Sequence, residues 1–249
     1  MKVAAIYDIH GNLPALEAVL AEIDQAAPDL ILVGGDVASG PMPRATLDRL
    51  MGLGERACFI RGNADRELIN QFDGVLHVQD TSETFQAMTG WAAQQLDQRH
   101  RDFLASFAER AILTIDGLGD VLFCHGSPRS DEEVLTVATS DQRLQAALTE
   151  VEQAVVVCGH THMQFDRQFG KVRIVNAGSV GMPYGDPGAY WLWLGPQVML
   201  RQTRYDFEFA ARLIRATEYP QAQEFADHNV LQPPTAAEAI EVFERMAAS

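Results

Sequence analysis

The sequence contains little cysteine and no long apolar run, and each scarcity excludes a class of protein. Its 249 residues include three cysteines, an odd number with no C-x-x-C pair, so reduced thiols are expected rather than a disulfide framework. The longest purely apolar run, near residues 154–158, is far shorter than the roughly 20 residues of a membrane-spanning helix. The short apolar start leads directly into Asp8 and lacks the pattern of a signal peptide, so we expect a cytoplasmic protein.

Basic residues are also scarce. Lys and Arg total 19 against 34 Asp and Glu, which gives a formal net charge of −15. A surface of this charge repels polyphosphate backbones and disfavours binding to long duplex nucleic acid. Small anionic substrates stay compatible with it if cations in a pocket reverse the local sign. The oligomeric state stays open, and a homo-oligomer is one alternative.

Apolar runs and helical patterns alternate through the first part of the chain. Residues 2–7 and 29–33 are apolar runs typical of buried strands, and the segment between them has helical spacing. A third strand, residues 57–61, follows a helix that begins near Pro43. This order predicts an α/β fold with parallel strands, which bind ligands at the carboxyl ends of those strands.

The rest of the sequence indicates further strands and helices. It contains no repeat and no linker, so we expect one domain over residues 1–249. Residues 82–108 predict a helical insert, which is either a small cap or additional scaffold. A helix is expected over 132–151 and a helical tail over 206–249, broken near residues 232–234. Strands are expected at residues 111–115, 121–124 and 154–157, and then as an antiparallel run at 165–169, 172–176, 189–194 and 198–203.

Five short polar blocks each follow a predicted strand. If the strands are parallel, the blocks meet at the same sheet edge. Any one block alone is a weak signal, since a histidine after a strand is commonly a surface residue. The blocks are Asp8-Ile9-His10, Gly35-Asp36, Gly62-Asn63, His125-Gly126 and Gly159-His160-Thr161-His162.

Together the blocks supply carboxylate, amide oxygen and imidazole groups, which suit hard-to-borderline divalent metals. Seven ligands are too many for one ion that keeps a position open for substrate. They suit two ions about 3.5–4 Å apart that share a bridging carboxylate. The candidate ligands are Asp8, His10, Asp36, Asn63, His125, His160 and His162.

This ordered set resembles the signature of the calcineurin-like metallophosphoesterases: D-x-H, G-D, G-N, H and G-H-x-H. The match runs from Asp8 to about Pro187 and is closest to the small bacterial phosphoesterase branch. The resemblance implies a layered α-β-β-α sandwich with helices on the outer faces. It also implies hydrolysis of a small phosphate ester, such as a nucleotide, by a hydroxide shared between two metal ions. The bond that is cut would be a phosphodiester or an activated phosphomonoester or phosphoanhydride.

The resemblance assigns the ligands as well. Asp8, His10 and His162 would hold the first ion, and Asn63, His125 and His160 the second, with Asp36 bridging. Asp36, Asn63 and His125 would thereby be catalytic. Manganese is the expected metal, and iron, zinc, cobalt or nickel are alternatives for mixed His and carboxylate sites.

Two positions depart from this pattern. Many relatives carry a histidine after G-N, thought to protonate the leaving group, whereas this chain has Ala64. Such a general acid contributes about 10²–10⁴-fold, so its loss favours substrates with good leaving groups, such as diesters or activated phosphoanhydrides. The neighbouring Asp65 is interpreted as the cap of a helix over residues 66–72. Tyr184 stands where the branch often has an arginine, so a phosphate-contacting cation is missing.

Four further residues are candidates for substrate binding, each with an alternative. Asn12 either faces the substrate or caps the first helix. Arg61 either contacts phosphate or forms a surface ion pair, and the same holds for Arg129. Ser179 lies in a Gly-rich loop that a tight turn alone would also explain. A catalytically silent scaffold or a phosphate-ester sensor on the same fold is the alternative to an enzyme; Ala64 alone favours it.

Overall fold

Ten strands form the centre of the computed structural model, which describes residues 1–75 and 82–247. The strands are β1 Val3–Ile6, β2 Leu30–Val33, β3 Ala57–Phe59, β4 Arg110–Ile115, β5 Gly119–Cys124, β6 Val155–Cys158, β7 Phe165–Phe169, β8 Val172–Asn176, β9 Ala189–Leu194 and β10 Val198–Thr203. The α-helices are α1 Leu13–Ala26, α2 Pro43–Met51, α3 Asn63–Phe72, α4 Glu83–Gln94, α5 Gln98–Ala105, α6 Asp141–Ala147, α7 Phe207–Arg215, α8 Ala222–Phe225 and α9 Ala236–Met246. A 3₁₀ turn spans Gly54–Arg56 and a π-helix spans Ala226–Leu231.

The strands form two five-stranded sheets, in the orders β10-β9-β1-β2-β3 and β4-β5-β6-β8-β7. Strands β1, β2 and β3 are parallel, as are β5, β6 and β8. The last four strands have the predicted bounds and form two antiparallel hairpins, but the prediction that they form one continuous run is wrong. Strands β7 and β8 pair in one sheet and β9 and β10 in the other, while β8 lies parallel to β6. Turn residues indicate a hairpin but do not say which sheet it joins.

Alternating side chains of β1 bind the layers together, since neighbouring residues of a strand point to opposite faces. Ala4 and Ile6 lie in the core beneath helices α1 to α5, whereas Val3, Ala5 and Tyr7 lie in the core between the two sheets. A third core packs α6 on the outer face of the second sheet. The predicted α-β-β-α sandwich is therefore confirmed, and the carboxyl ends of parallel strands from both sheets point to one region.

The segment expected as a helical insert forms α4 and α5 and packs onto the first sheet. Ala92 of α4 and Leu104 of α5 are fully buried in the same core as Leu16 of α1. This packing favours the scaffold interpretation of the segment over a separate cap.

The helix predicted over residues 132–151 is wrong for its first half and its last four residues, because the helix spans only Asp141–Ala147. Thr136 and Thr139 bond to each other through a backbone N–H and a hydroxyl, and the Ser140 hydroxyl caps α6 by accepting from Arg143 N–H. β-branched and hydroxyl-bearing residues are weak helix formers and compete for backbone hydrogen bonds. The described part of the tail is helical except at residues 216–221, where no break was expected, and at residues 232–235, which include the expected break.

Within the described residues, no helix has both the length and the apolar character needed to cross a membrane.

Candidate metal centre

The five polar blocks follow β1, β2, β3, β5 and β6, so both sheets contribute to one site. Most of the predicted ligands sit on strained backbone. Six non-glycine residues in the described part of the chain have positive φ, a conformation that costs of order 1–3 kcal/mol per residue. Five of the six belong to the blocks, and their φ angles are Asp8 53°, His10 47°, Asp36 54°, His160 66° and His162 60°.

The first group of donors contains Asp8, His10 and His162, whose ligand atoms all lie within 4.8 Å of one another. The Nε2 atoms of the two histidines are 3.2 Å apart, and Nε2 of His162 is 3.4 Å from Oδ1 of Asp8. In each ring Nδ1 donates to a backbone carbonyl, Ser39 at 3.2 Å and Met182 at 2.7 Å. With Nδ1 protonated, the Nε2 lone pairs of the neutral rings point toward a common centre.

The second group contains Asp36, His125 and His160, and its ligand atoms meet the same 4.8 Å limit. Nδ1 of His125 donates to the Gly34 carbonyl at 2.8 Å, which leaves Nε2 facing Oδ2 of Asp36 at 3.3 Å. The same Oδ2 lies 3.8 Å from Nε2 of His10 in the first group. The Asp36 carboxylate therefore stands between the two groups.

Three buried polar atoms of the site find no hydrogen-bond partner among the described residues: Oδ1 of Asp8, Oδ1 of Asn63 and Nε2 of His125. A buried polar group without a partner costs about 1–3 kcal/mol. The two oxygens, and Nε2 of His125 once a cation displaces its proton, are electron-pair donors of the kind that divalent cations bind. The residues present therefore fit a metal centre, and cations there would satisfy each of these atoms.

Asn63 begins α3 next to the Asp36 carboxylate. Ala64 N–H donates to Oδ1 of Asp36 at 2.8 Å, and a Cβ on Gly62 would lie 2.1 Å from the same oxygen. Only glycine at position 62 leaves room for Asp36. Ala64 thus orients the central carboxylate through its backbone, while its methyl group supplies no proton donor.

Charge in the site favours cations. Burial would raise the pKa of both Asp8 and Asp36, but the surrounding histidines lower both pKa values below their usual range. Burial would lower the pKa of His125, yet the Asp36 and Asp8 carboxylates raise it to about 10. For His160, burial and the neighbouring His125 lower the pKa to about 4. Two buried, ionised carboxylates therefore draw positive charge to this point.

A carboxylate that sequence reasoning interpreted only as a helix cap holds the site together. Asp65 is fully buried and accepts hydrogen bonds from Gly62 N–H at 3.0 Å, Asp36 N–H at 2.8 Å and Val37 N–H at 2.9 Å. The first bond fits the capping interpretation, but α3 begins earlier than expected, at Asn63. The other two bonds reach the loop after β2.

The side chains of Asn12 and Ser179 form hydrogen bonds in the protein interior. Asn12 Oδ1 accepts from Ala15 N–H at 3.2 Å, and its Nδ2 donates to the Gly181 carbonyl at 3.0 Å, so the side chain caps α1. The Ser179 hydroxyl donates to the Asp8 carbonyl at 2.7 Å. Both side chains are fully buried. These contacts favour the capping and turn interpretations over direct contact with substrate.

Arg61 lines a cleft of about 1070 Å³ that also includes His125. Its Nε is buried without a hydrogen-bond partner in the described chain, and its Nη2 lies 3.4 Å from the exposed Glu109. Arg129 also lines the cleft, but its guanidinium binds Glu133. Arg61 therefore keeps hydrogen-bonding capacity next to the site, whereas the ion-pair interpretation holds for Arg129.

Comparison with known proteins gives consistent matches. The family model of the calcineurin-like phosphoesterase superfamily domain matches residues 1–194. Phosphodiesterase YfcE of Escherichia coli is 28% identical over 200 residues, which cover 76% of this chain and 85% of that protein. A symmetrical bis(5'-nucleosyl)-tetraphosphatase of Janthinobacterium is 36% identical over 91 residues, 35% of this chain and 33% of that protein. The solved metallophosphoesterase of Sphaerobacter thermophilus superposes with a TM-score of 0.72 at 25% identity, covering 92% of this chain and 99% of that one.

Proposed function

The chain belongs to the calcineurin-like phosphoesterase superfamily, a family of metal-dependent hydrolases, and we propose that it cleaves small phosphodiesters or activated phosphoanhydrides with two divalent cations. The observation that carries this proposal is the pair of donor groups on either side of Asp36. The three buried donor atoms without partners support it.

In this proposal Asp8, His10 and His162 hold one cation, and Asn63, His125 and His160 hold the other. Asp36 would bridge them, in keeping with the position of its Oδ2 between the two groups. Manganese is the proposed metal, with iron, zinc, cobalt and nickel as alternatives, since nitrogen and oxygen donors accept all of these ions.

Bound cations would lower the pKa of water toward neutrality and offset negative charge on the phosphoryl oxygens. Hydrogen bonds within the protein orient the donor groups for this chemistry. The backbone carbonyls of Ser39, Met182 and Gly34 accept from Nδ1 of three histidine rings, so that each Nε2 faces the site and would bind a cation once it has lost any proton. Asp65 and the Ala64 N–H fix the loop and the carboxylate of Asp36.

The substrate class follows from the missing proton donor. Without a histidine at position 64, a leaving group must depart with little protonation, which favours diesters with acidic leaving groups and phosphoanhydrides. The relatives named as a phosphodiesterase and a tetraphosphatase support this preference. Arg61, in the cleft beside His125, would contact a non-bridging or distal phosphate oxygen. Asn12 and Ser179 would act by positioning the loops around Asp8.

The proposal is tested with purified protein, manganese and bis(p-nitrophenyl) phosphate. Wild-type protein should release nitrophenolate, and Asp36→Asn should reduce the rate to background, because an amide cannot bridge two cations as a carboxylate does. Asp102→Asn is the matched control, since this side chain is 60% exposed on α5, and it should keep the wild-type rate. A wild-type protein that binds manganese but hydrolyses no diester, anhydride or monoester would contradict the proposal and favour a sensor or scaffold.

A further inference from the structure

The C-terminal helix α9 lies outside the residues 1–194 that the family model matches, yet it contacts loops of the metal centre. The Glu244 carboxylate accepts hydrogen bonds from the hydroxyls of Thr136 and Thr139 at 2.6 and 2.9 Å. It also accepts one from Arg143 Nη1 at 2.7 Å. The two threonines lie in the loop that follows His125. One side chain of α9 thus binds this loop at two points and α6 at a third.

The same loop binds the turn that carries His160 and His162. The Thr161 hydroxyl donates to the Leu135 carbonyl at 3.1 Å and accepts from Asn176 Nδ2 at 3.1 Å. Thr161 is fully buried between the two histidines. A continuous set of polar contacts therefore runs from α9 through the loop to this turn.

Ring contacts also connect Phe243, the α9 residue next to Glu244, to the same turn. The Phe243 ring meets the Tyr184 ring edge-on, with centroids 6.0 Å apart at 80°. The Tyr184 ring stacks on His162 at 5.9 Å and 30°. Near these rings, Gly185 N–H donates to the Pro234 carbonyl at 2.9 Å, which holds the segment before α9 against the Tyr184 loop.

His160 and His162 need such support because both have positive φ, which is unfavourable for residues with a Cβ. A ligand imidazole also needs its ring plane fixed. The Met182 carbonyl fixes one direction of the His162 ring through Nδ1, and the Tyr184 face limits rotation about it.

We infer that α9 is a positioning element of the metal centre: Phe243 and Tyr184 orient the imidazole of His162, and Glu244 stabilises the turn that carries it. This inference rests on the proposed function, since it takes His162 to be a ligand. It predicts that substitutions in the aromatic pair weaken mainly the binding of the cation that Asp8, His10 and His162 hold.

The test measures Mn²⁺ binding by calorimetry and the visible absorption of the Co²⁺-loaded protein. Tyr184→Leu, Phe243→Leu and Glu244→Gln are compared with wild type, and circular dichroism monitors the fold. Loss of an outer contact to a metal ligand typically weakens affinity about 10–100-fold. We expect about tenfold weaker binding of one of two Mn²⁺ ions in Tyr184→Leu and Phe243→Leu, with an altered Co²⁺ spectrum. Glu244→Gln should weaken Mn²⁺ binding as well.

Three control variants separate positioning from general packing. Tyr184→Phe keeps the ring and should bind Mn²⁺ as wild type does. Val242→Ala and Glu241→Gln change neighbouring α9 side chains that are 51% and 76% exposed, and both should be without effect.

Unchanged Mn²⁺ affinities and Co²⁺ spectra in folded Phe243→Leu and Glu244→Gln would overturn the inference, even if Tyr184→Leu fails to fold. A wild-type protein that binds no Mn²⁺ would instead contradict the proposed function itself.

Discussion

The carboxylate of Asp65 accepts a hydrogen bond from the backbone N–H of Asp36 over 2.8 Å. Its other bonds, to Val37 N–H and Gly62 N–H, mean that one buried side chain joins the loops after β2 and β3. Asp36 has a φ of 54°, so its loop is strained and depends on such contacts.

Replacing Asp65 with Asn should therefore damage both the fold and the catalytic site. An amide puts an NH₂ group where a carboxylate oxygen accepted an N–H, which leaves buried donors without acceptors and costs about 1–3 kcal/mol. Urea unfolding should show this loss of stability, and kcat/KM for bis(p-nitrophenyl) phosphate should fall. The same measurements on Asp102→Asn, whose side chain is 60% exposed, should match wild type. Wild-type stability and kinetics in Asp65→Asn would show that these bonds are dispensable.

Two glycines should respond in opposite ways to substitution by alanine. A Cβ at position 62 would lie 2.1 Å from Oδ1 of Asp36, so Gly62→Ala must displace that carboxylate and should abolish hydrolysis. Gly90 lies in α4 with nothing within 4 Å of the added methyl group. Gly90→Ala should therefore raise the free energy of unfolding by about 0.5–1 kcal/mol and leave kcat unchanged, because alanine favours helix. An active Gly62→Ala would contradict the placement of Asp36.

The leaving group should dominate the rate because position 64 carries no proton donor. Across a series of aryl phosphodiesters, log kcat should fall steeply as the pKa of the leaving phenol rises. Ala64→His should flatten that dependence and accelerate the poorest leaving groups most, within the 10²–10⁴-fold range of a general acid. Equal slopes for the two proteins would show that the proton comes from another group or is not needed.

Glu244 should make folding stability depend on acidity. Burial would raise the pKa of Glu244, but hydrogen bonds from Thr136 and Thr139 and the charge of Arg143 lower it below its usual value of 4.5. A lowered folded-state pKa contributes stability that is fully present above the ordinary carboxyl value and is lost as pH falls through the folded value. The difference in unfolding free energy between wild type and Glu244→Gln should therefore shrink as pH decreases from 7 to 3. A difference that stays constant over that range would contradict a lowered pKa of Glu244 in the folded protein.

Strand positions and the blocks that follow them were predictable from the sequence because both leave local signals. Val3–Ile6 and Leu30–Val33 are short apolar runs that lead directly to Asp8 and Asp36. Parallel strands then place such residues at one end of a sheet. Family resemblance added the two-sheet sandwich, which periodicity alone could not distinguish from a single sheet.

Contacts between distant segments were not predictable in the same way. Nothing local to Asp65 indicates that it accepts an N–H from Asp36, 29 positions earlier in the chain. The contact of Glu244 with Thr136 spans 108 positions. The loop before α6, where the sequence predicts helix, has a conformation that follows from contacts with distant residues of α9 and with Thr161.

A crystal structure of the protein grown with Mn²⁺, with anomalous scattering recorded at the manganese edge, is the sharpest test of the two-cation site. We expect two anomalous peaks about 3.5–4 Å apart, the usual spacing of two-metal sites. One should be bound by Asp8, His10 and His162, and the other by Asn63, His125 and His160, with Asp36 contacting both. A single peak, or manganese bound away from Asp36, would contradict the two-cation site.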